Sequence, residues 1–177
     1  ERFNANSTTV TVDIPATNIT VTVNDVVYGN NASVVVIVPE GATGNVSVIV
    51  DGNFVGNATI DGTTATLNVT DLAAGSHTVE AVFNGTSGNA TFNVDRANAT
   101  LNISAVDVVV GENATISISS NVAGGNVTVY INGNRYEITL DADGNYVLNV
   151  SGLVAGDYAV VANLADSVNY KIGRAHV

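Results

Sequence analysis

Apolar and polar residues alternate along most of this chain, in short runs separated by turn dipeptides. In Gly44-Asn45-Val46-Ser47-Val48, for example, every second side chain after the glycine is apolar, which is the period of a β-strand with one buried face. Between residues 16 and 96 the pattern predicts seven strands, at 18–24, 32–38, 45–51, 54–60, 64–69, 76–83 and 89–94. Hairpins are predicted at four dipeptides next to such runs: Asp51-Gly52, Asp61-Gly62, Asn132-Gly133 and Asp143-Gly144.

The chain contains the same pattern twice. Gly29-Asn30-Asn31-Ala32-Ser33 returns 82 positions later as Gly111-Glu112-Asn113-Ala114-Thr115. Gly44-Asn45-Val46-Ser47-Val48 returns 81 positions later as Gly125-Asn126-Val127-Thr128-Val129. Repeats of about 80 residues are tandem globular domains, because solenoid units run to roughly 20–50 residues. Two copies of one domain are therefore predicted.

Alignment of the two copies assigns the buried face of each strand. Val34-Val35-Val36-Ile37 is ambiguous alone, but its counterpart Ile116-Ser117-Ile118-Ser119 alternates cleanly. Val34 and Val36 are therefore predicted to face inward. By the same comparison the inward positions include Val46, Val48, Val50, Leu67, Val69, Val127, Val129, Ile131, Leu148 and Val150, and the outward positions include Val35, Ile37, Ser47, Asn68, Thr128 and Asn149. One solvated face per sheet favours antiparallel pairing.

Seven short strands in about 80 residues predict an all-β fold, in the form of tandem immunoglobulin-like antiparallel β-sandwiches. The segment Leu153-Val154-Ala155-Gly156-Asp157-Tyr158 supports this prediction, because it has the spacing of the tyrosine corner that precedes the sixth strand. The first copy departs from the pattern, since His77 occupies the position of Tyr158.

The repeats predict the domain boundaries. Residues 1–15 are interpreted as the last strand of a preceding repeat, because Thr9–Asp13 resembles Thr91–Asp95. Residues 16–96 form the first domain, and residues 97–171 form a second domain that stops after its sixth strand. Residues 172–177 resemble the translation of a sequencing adapter and are interpreted as an artefact. The second domain is then expected to lack its seventh strand and to expose a sheet edge, and the chain is expected to be an internal fragment of a larger exported protein.

Thirteen Asn-x-Ser/Thr triplets occur in the 177 residues, and eleven of them have an apolar middle residue. One hypothesis is that they are N-glycosylation acceptors on a secreted protein. The other is that they are a by-product of strands whose solvated faces use Asn and Thr in place of charges. Both hypotheses place the Asn side chains at the surface. The acceptors predicted to be easiest to reach are Asn31, Asn84, Asn89 and Asn113, which lie in loops or just before strands.

Charge and composition exclude several classes of partner. The net charge is −11 with five Lys and Arg residues, so nucleic acid and anionic membranes are disfavoured, because both bind through clustered cations. No cysteine is present, which removes disulfides, thiol catalysis and Cys-ligated metals. No apolar run reaches 18 residues, so direct membrane insertion of this segment is not expected.

Residues that carry chemistry are few. The histidines are His77, which aligns with an inward tyrosine, and His176, which lies in the tail interpreted as an artefact. Acid, base and nucleophile candidates are therefore lacking, and we predict neither an enzyme nor a cofactor.

Two further patterns have a structural and a functional interpretation. Asp141-Ala142-Asp143-Gly144-Asn145 resembles a calcium loop, but it lacks a distal bidentate acid, so a hairpin turn is favoured. Tyr130 and Tyr136 could form a sugar-stacking platform across a hairpin, although cross-strand aromatic pairs also stabilise sheets.

Three segments carry a resemblance to a known family: Tyr28-Gly29-Asn30-Asn31-Ala32, Gly41-Ala42-Thr43-Gly44-Asn45-Val46 and Leu72-Ala73-Ala74-Gly75-Ser76-His77-Thr78-Val79. The chain resembles bacterial-type Ig-like repeats, most of all those of adhesin-like surface proteins of methanogenic archaea. The resemblance implies an extracellular, cell-surface module with a structural or adhesive role and no active site. Its partners would be neighbouring Ig-like repeats and host or microbial cell-surface glycans or proteins. The alternative is a carbohydrate-binding or spacer module of a secreted glycan-degrading enzyme.

Overall fold

The computed structural model describes residues 18–172 and the backbone of residues 174–176. The described residues form β-strands and loops, with no helix among them. The predicted all-β fold is therefore confirmed. The segment 1–15, interpreted above as the last strand of a preceding repeat, lies outside the described residues.

The first repeat contains eight strands that form one hydrogen-bonded sheet in the order β1-β3-β6-β5-β4-β7-β8-β2. Their bounds are β1 Thr20–Thr22, β2 Val26–Val27, β3 Ala32–Ile37, β4 Asn45–Val50, β5 Asn53–Asp61, β6 Thr64–Val69, β7 Gly75–Phe83 and β8 Thr86–Asp95. The long strand β5 folds this sheet into two layers, because its first part pairs with β4 and its last two residues pair with β6.

Nine strands follow in the described residues, eight in the second repeat and β17 in the tail after it. Their bounds are β9 Ala97–Asn98, β10 Leu101–Ala105, β11 Ala114–Ser120, β12 Asn126–Ile131, β13 Asn134–Thr139, β14 Asn145–Val150, β15 Val160–Leu164, β16 Tyr170–Lys171 and β17 Arg174–His176. They form one sheet in the order β10-β11-β14, a second in the order β13-β12-β15-β17, and a short parallel pair of β16 with β9. The first two sheets enclose a core that includes Ile116, Ile118, Val127 and Val129.

The seven strands predicted in the first repeat are all present, with the predicted faces. Val34, Val36, Val46 and Val48 are fully buried, whereas Ile37 is 48% exposed. The predicted antiparallel pairing is present in the long ladders, such as β4 with β5 and β12 with β13, whereas two short pairings, β2 with β8 and β9 with β16, are parallel. In each parallel pair at least one strand has only two residues, which is too short to show an alternating pattern.

Local turn chemistry sets the hairpin registers. Asp51 and Gly52 have φ values of 50° and 78°, and Asn132 and Gly133 have values of 44° and 83°. Two consecutive positive φ values define the type I′ turn, whose twist matches that of antiparallel strands. Accordingly Val50 pairs with Asn53, and Ile131 pairs with Asn134.

The tertiary contacts divide the chain into two compact units, and the bounds of these units differ from those of the two sequence repeats. The described part of unit 1 comprises residues 18–23, 33–68 and 78–91. The described part of unit 2 comprises residues 24–32, 69–77, 92–172 and 174–176. Unit 2 therefore includes the whole second repeat together with three segments of the first. The domain boundary between residues 96 and 97 stays a prediction from the repeats.

The sequence predicts an exposed sheet edge at β15, but the structure has a short strand beside it. β17 pairs antiparallel with Val161–Asn163, so three positions of β15 have a neighbouring strand. In the first repeat the strand at the corresponding place, β8, is ten residues long. A partner is thus present at this edge, but it is short.

Candidate modification and interaction sites

The Asn side chains of the Asn-x-Ser/Thr triplets lie at the protein surface. All twelve that fall in the described residues are exposed: Asn18, Asn31, Asn45, Asn57, Asn68, Asn84, Asn89, Asn98, Asn102, Asn113, Asn126 and Asn149. Asn6 lies outside the described residues. Surface placement was predicted by both hypotheses, so it does not by itself separate glycan acceptors from strand residues.

Several mid-strand triplets bond to one another across the sheet. The triplets that begin at Asn45 and Asn57 lie side by side, with Asn45 opposite Thr59 and Ser47 opposite Asn57. Ser47 Oγ donates a hydrogen bond to Asn57 Oδ1 at 2.9 Å. In the second repeat Thr115 Oγ1 donates to Asn149 Oδ1 at 3.1 Å. Cross-strand bonds of this kind stabilise a sheet, so these Asn side chains have a structural role.

The four predicted acceptors lie at or near the ends of strands, with one exception. Asn31 and Asn113 immediately precede β3 and β11, as predicted. Asn84 lies at the turn between β7 and β8 and has a φ of 48°, a left-handed conformation that asparagine tolerates. Asn89 was expected in a loop, but it lies inside β8. Of the four predicted acceptors, Asn84 lies in the two-residue turn between β7 and β8.

The Asp141 loop closes on itself as a turn. Asp141 Oδ1 accepts hydrogen bonds from the backbone N–H groups of Asp143 at 3.0 Å and Asn145 at 2.8 Å. The Gly144 N–H donates to the Asp141 carbonyl oxygen at 3.1 Å. A carboxylate that binds nearby backbone N–H groups is typical of an Asx turn. The loop is therefore a turn, but the hairpin predicted at Asp143-Gly144 is wrong, because the turn joins β13 to β14 and these two strands belong to different sheets.

The two tyrosines of the second repeat do not form a platform. Tyr130 pairs with Arg135 and is 37% exposed, whereas Tyr136 pairs with the fully buried Val129. Residues directly opposite in an antiparallel pair share a face. Tyr136 therefore lies on the inner face and packs against the core, on the side opposite to Tyr130.

His77 and Tyr158 make equivalent hydrogen bonds in the two repeats. Tyr158 Oη donates to the Val154 carbonyl oxygen at 3.1 Å and accepts from the Val154 N–H at 3.2 Å. His77 Nε2 lies 2.8 Å from the carbonyl oxygen of Ala73, which is the counterpart of Val154. Because a carbonyl oxygen only accepts, Nε2 carries the proton. The His77 ring also packs against Phe92, with centroids 5.5 Å apart.

Arg96 organises a cluster in unit 2 that sequence analysis missed. Its Nε donates to the Tyr170 carbonyl oxygen at 3.0 Å, and its Nη2 donates to Asp166 Oδ1 at 2.6 Å and to the Ser167 carbonyl oxygen at 2.5 Å. The loop 165–171 is thereby held beside β9. The signal available in the sequence was that Arg96, one of five basic residues, directly follows the last strand of the first repeat.

Further bonds hold the same loop from other segments of unit 2. Asn169 Oδ1 accepts from the Ala74 N–H at 2.8 Å, and its carbonyl oxygen accepts from the Ala97 N–H at 2.9 Å. The rings of Tyr28 and Tyr170 meet edge to face, with centroids 5.2 Å apart. The hydrogen bond from Arg96 lowers the pKa of Asp166 below its ordinary value, and the Ser167 N–H and the charge of Arg96 act in the same direction.

Within the described residues, no group of three or more His, Cys, Asp or Glu side chains is placed to hold a metal ion. Nor does that part of the chain contain a helix long and apolar enough to cross a membrane.

No protein-family model matches the chain, and no curated protein matches it either. Among solved structures, it is similar to a biofilm-associated protein BSP domain, at 21% identity over 90% of this chain and 29% of that chain, with a TM-score of 0.35. It is also similar to titin A168–A169, at 15% identity over 92% and 97% of the two chains, with a TM-score of 0.46. The Yersinia pseudotuberculosis adhesin InvE is similar at 16% identity over 91% and 58%, with a TM-score of 0.44.

At these identities and scores the similarity concerns the fold alone. The fold itself follows from the geometry of this chain: the strand order, the parallel pairing of β2 with the end of β8, and the corner bond of Tyr158. Together these features define an immunoglobulin-like β-sandwich. The chain spans 29% of the length of the biofilm-associated protein.

Proposed function

We propose that this chain is a non-catalytic, tandem immunoglobulin-like module of a large cell-surface protein, with a structural or adhesive role. The observation that carries the proposal is the set of neutral hydrogen bonds across the outer faces of its sheets, such as Ser47 to Asn57, Thr115 to Asn149 and Thr139 to Asn126. Salt screens exposed ion pairs but has little effect on bonds between neutral groups. Faces of this kind suit a module that must stay folded in an external medium of variable ionic strength.

The segment that follows β8 supports a role as one link in a series. Arg96 and β9 connect the two repeats without a Gly- or Pro-rich linker, and both are bonded to the loop 165–171. A short connection with these bonds restricts the freedom of the chain more than a flexible linker would. In a series of such repeats, many weak contacts with neighbouring repeats and with surface glycans or proteins would add up through avidity.

Force spectroscopy of the 177-residue chain tests the structural role. If each repeat is a separate load-bearing domain, pulling on the two termini should give two discrete unfolding events. Each event should lengthen the chain by about 250 Å, because roughly 80 residues extend by up to about 3.5 Å each. Smooth extension without discrete events would contradict a structural role under load.

Within this proposal, Asn31, Asn84, Asn89 and Asn113 are the glycan acceptors, with Asn84 the most readily modified. Asn57 and Asn149 are matched controls, because they occupy the same triplet but accept hydroxyl hydrogen bonds from neighbouring strands. Peptide mass spectrometry of protein from its natural source should find glycan at Asn84 and little at Asn57. Equal occupancy at the two positions, or a bare chain, would count against this assignment.

The alternative, a carbohydrate-binding module of a glycan-degrading enzyme, has no specific observation in its favour. The pair that suggested it, Tyr130 and Tyr136, lies on opposite faces of its sheet. Retention of the chain on insoluble polysaccharide, lost in Tyr130→Ala, would reopen that alternative.

A further inference from the structure

Two of the 24 asparagines in the chain directly precede a glycine, in Asn84-Gly85 and Asn132-Gly133. Each pair forms the two-residue turn of a hairpin, between β7 and β8 and between β12 and β13. Both residues of each pair have a positive φ, 48° and 78° in the first and 44° and 83° in the second, as the type I′ turn requires. All four residues are exposed. Asparagine is thermally labile in proteins, and a following glycine has no Cβ to hinder a reaction between the side-chain amide and the next backbone nitrogen.

We propose that Asn132 and Asn84 are sites of spontaneous modification, at which the backbone nitrogen of the following glycine attacks the side-chain amide. The glycine nitrogen forms a bond to Cγ, the Cγ–Nδ2 bond breaks, and Nδ2 leaves as ammonia with the proton that the glycine nitrogen gives up. The product is a five-membered succinimide ring. Water then opens the ring. Cleavage between the nitrogen and Cγ gives aspartate, and cleavage between the nitrogen and the main-chain carbonyl carbon gives isoaspartate.

The attacking nitrogen is accessible at both turns. In a two-residue hairpin the ladder hydrogen bonds run between the flanking residues, and in the described part of the chain neither the Gly85 nor the Gly133 N–H has a backbone acceptor. Beyond the adjoining residues, no atom lies within 4 Å of a Cβ placed on either glycine. Each turn can therefore rotate without disturbing the packing, and each glycine nitrogen can lose its proton to the solvent and reach the neighbouring side chain.

The turn at Asp143-Gly144 provides a contrast within the second repeat. The Gly144 N–H donates to the Asp141 carbonyl oxygen at 3.1 Å, so this nitrogen is engaged. The Ser120 carbonyl oxygen lies 2.0 Å from a Cβ placed on Gly144, so the backbone is packed and cannot rotate freely. The carboxylate of Asp143 is also a poorer electrophile than an amide. Ring closure should therefore be slower at this turn than at the two asparagine turns.

The first repeat indicates that the aspartate product is compatible with the hairpin at residue 132. The equivalent turn is Asp51-Gly52, where the Asp51 N–H donates to the Thr78 carbonyl oxygen and Asp51 Oδ1 accepts from the Thr78 N–H, both at 2.9 Å. The Asn132 N–H donates at 3.4 Å to the carbonyl oxygen of Ala159, the counterpart of Thr78. An aspartate at residue 132 can thus make the pair of bonds that the first repeat already contains.

Isoaspartate at residue 132 has the opposite effect, because it adds the Cβ methylene to the main chain. The two-residue turn places Ile131 opposite Asn134. A longer loop does not have the type I′ geometry on which this register depends. β13 is the outer strand of its sheet, so its pairing with β12 holds it there. Isoaspartate should therefore weaken that pairing.

The two sites differ in whether a glycan can protect them. Asn84-Gly85-Thr86 is an acceptor triplet, whereas Asn132-Gly133-Asn134 is not. A glycan on Nδ2 hinders the approach of the glycine nitrogen, so a glycosylated Asn84 stays intact and Asn132 becomes the principal site. This difference rests on the proposed acceptor role of Asn84. The reaction itself goes beyond the proposed function, because it requires water alone.

Peptide mass spectrometry of the 177-residue chain, produced without glycan and incubated in mildly alkaline buffer, tests the proposal. Deamidation should be at least tenfold faster at Asn132 and Asn84 than at Asn134, an exposed asparagine that precedes Arg135. The rate should rise with pH, because the deprotonated glycine nitrogen is the nucleophile. Equal rates at the three asparagines would overturn the proposal, whether or not the natural protein carries a glycan at Asn84.

Gly133→Ala separates the reaction from loss of structure. The methyl group hinders the attacking nitrogen, so deamidation of Asn132 should slow at least tenfold while Asn84 keeps its rate. The same substitution strains the turn, because the φ of residue 133 is 83°, and local unfolding alone would speed the reaction. A slower reaction therefore cannot result from unfolding. An unchanged or faster rate at Asn132 would contradict attack by the Gly133 nitrogen.

Hydrogen exchange compares the two products. In chains that carry isoaspartate at residue 132, identified by an isoaspartate-specific methyltransferase, the Asn134 amide should exchange at least tenfold faster than in the fresh chain. Freshly prepared Asn132→Asp is the control, and it should retain the exchange rate of the fresh chain, because the first repeat has aspartate at this place. Equal exchange in the isoaspartate form and in Asn132→Asp would show that the longer main chain does not weaken the pairing of β12 with β13.

Discussion

At Gly144 the backbone leaves no room for a side chain. A Cβ atom there would lie 2.0 Å from the carbonyl oxygen of Ser120, and the φ of 78° is itself unfavourable for other residues. The Gly144 carbonyl oxygen accepts a hydrogen bond from the Ser120 N–H at 2.8 Å. The glycine therefore allows the Asp141 loop to close directly onto the end of β11.

Gly144→Ala is expected to lower the free energy of unfolding by about 2–3 kcal/mol, near the upper end of ordinary substitutions. Gly133→Ala is the matched control, because its φ of 83° is similar but no atom lies within 4 Å of the added Cβ. It should cost about 1 kcal/mol from backbone strain alone. Urea unfolding of both variants measures the difference. Equal decreases in the free energy of unfolding would show that the contact with Ser120 does not contribute to the cost of Gly144→Ala.

The corner bond can be tested in the two repeats with parallel substitutions. Tyr158→Phe and His77→Phe each remove the group that bonds to the backbone of Val154 or Ala73, and each should cost about 0.5–1.5 kcal/mol. His77→Tyr should retain stability, because tyrosine makes this bond in the other repeat. Thermal unfolding of the three variants compares them. If His77→Tyr were as damaging as His77→Phe, the equivalence of the two side chains would be wrong.

Among the contacts that hold the loop 165–171, the ion pair between Arg96 and Asp166 changes its charge with pH. Asp166 has a pKa lowered by its hydrogen bond to Arg96. A carboxyl group with a lowered folded-state pKa stabilises the protein above its unfolded pKa of about 3.9. That contribution is lost as pH falls through the lowered folded value.

The loop should therefore keep the Asp166 bonds as the pH falls through the ordinary aspartate pKa of about 3.9 and lose them only as the pH falls through the lowered folded-state pKa. The Ser167 amide, which donates to Asp166 Oδ1 at 3.0 Å, reports the change by NMR. Its resonance should titrate below the pKa of an ordinary aspartate. In Asp166→Asn this titration should be absent. A Ser167 amide that titrates at or above the ordinary aspartate pKa would contradict the pairing with Arg96.

The strands that could be predicted from the sequence are those long enough to show an alternation of apolar and polar residues. β3, β4 and β11 each carry at least six residues of alternating burial, so their existence and inward faces followed from periodicity. β2, β9 and β16 have two residues each. These strands form because segments that are far apart in the sequence pair in the folded protein, and no local sequence pattern predicts such pairing.

The opposite orientations of Tyr130 and Tyr136 could have been predicted from the sequence, although alternation along each strand taken separately did not indicate them. A two-residue Asn132-Gly133 turn fixes Ile131 opposite Asn134, and counting outward from it places Tyr136 opposite Val129. The turn therefore implied an inward Tyr136. Arg96 is different, since its three acceptors lie 70 to 74 residues away along the chain. Only the tertiary structure brings them together.

For the molecule as a whole, the repeat supplies pairs of equivalent positions at which matched substitutions can be compared. Val48 and Val129 are counterparts on β4 and β12, and each is fully buried. Val48 belongs to unit 1 and Val129 to unit 2. Val→Ala at either position leaves a cavity of the same size and should cost about 2–3 kcal/mol.

If the two repeats fold as separate domains, each substitution should increase amide exchange only in its own repeat. Hydrogen exchange of the Tyr28 amide distinguishes the two possible domain boundaries. It donates to the Asp95 carbonyl oxygen at 2.8 Å, and it belongs to the first repeat by sequence but to unit 2 by contacts. A boundary between residues 96 and 97 predicts that Tyr28 exchanges faster in Val48→Ala and is unchanged in Val129→Ala. The opposite result would mean that the contact-based unit, in which β2 and the end of β8 unfold together with the second repeat, is the cooperative one.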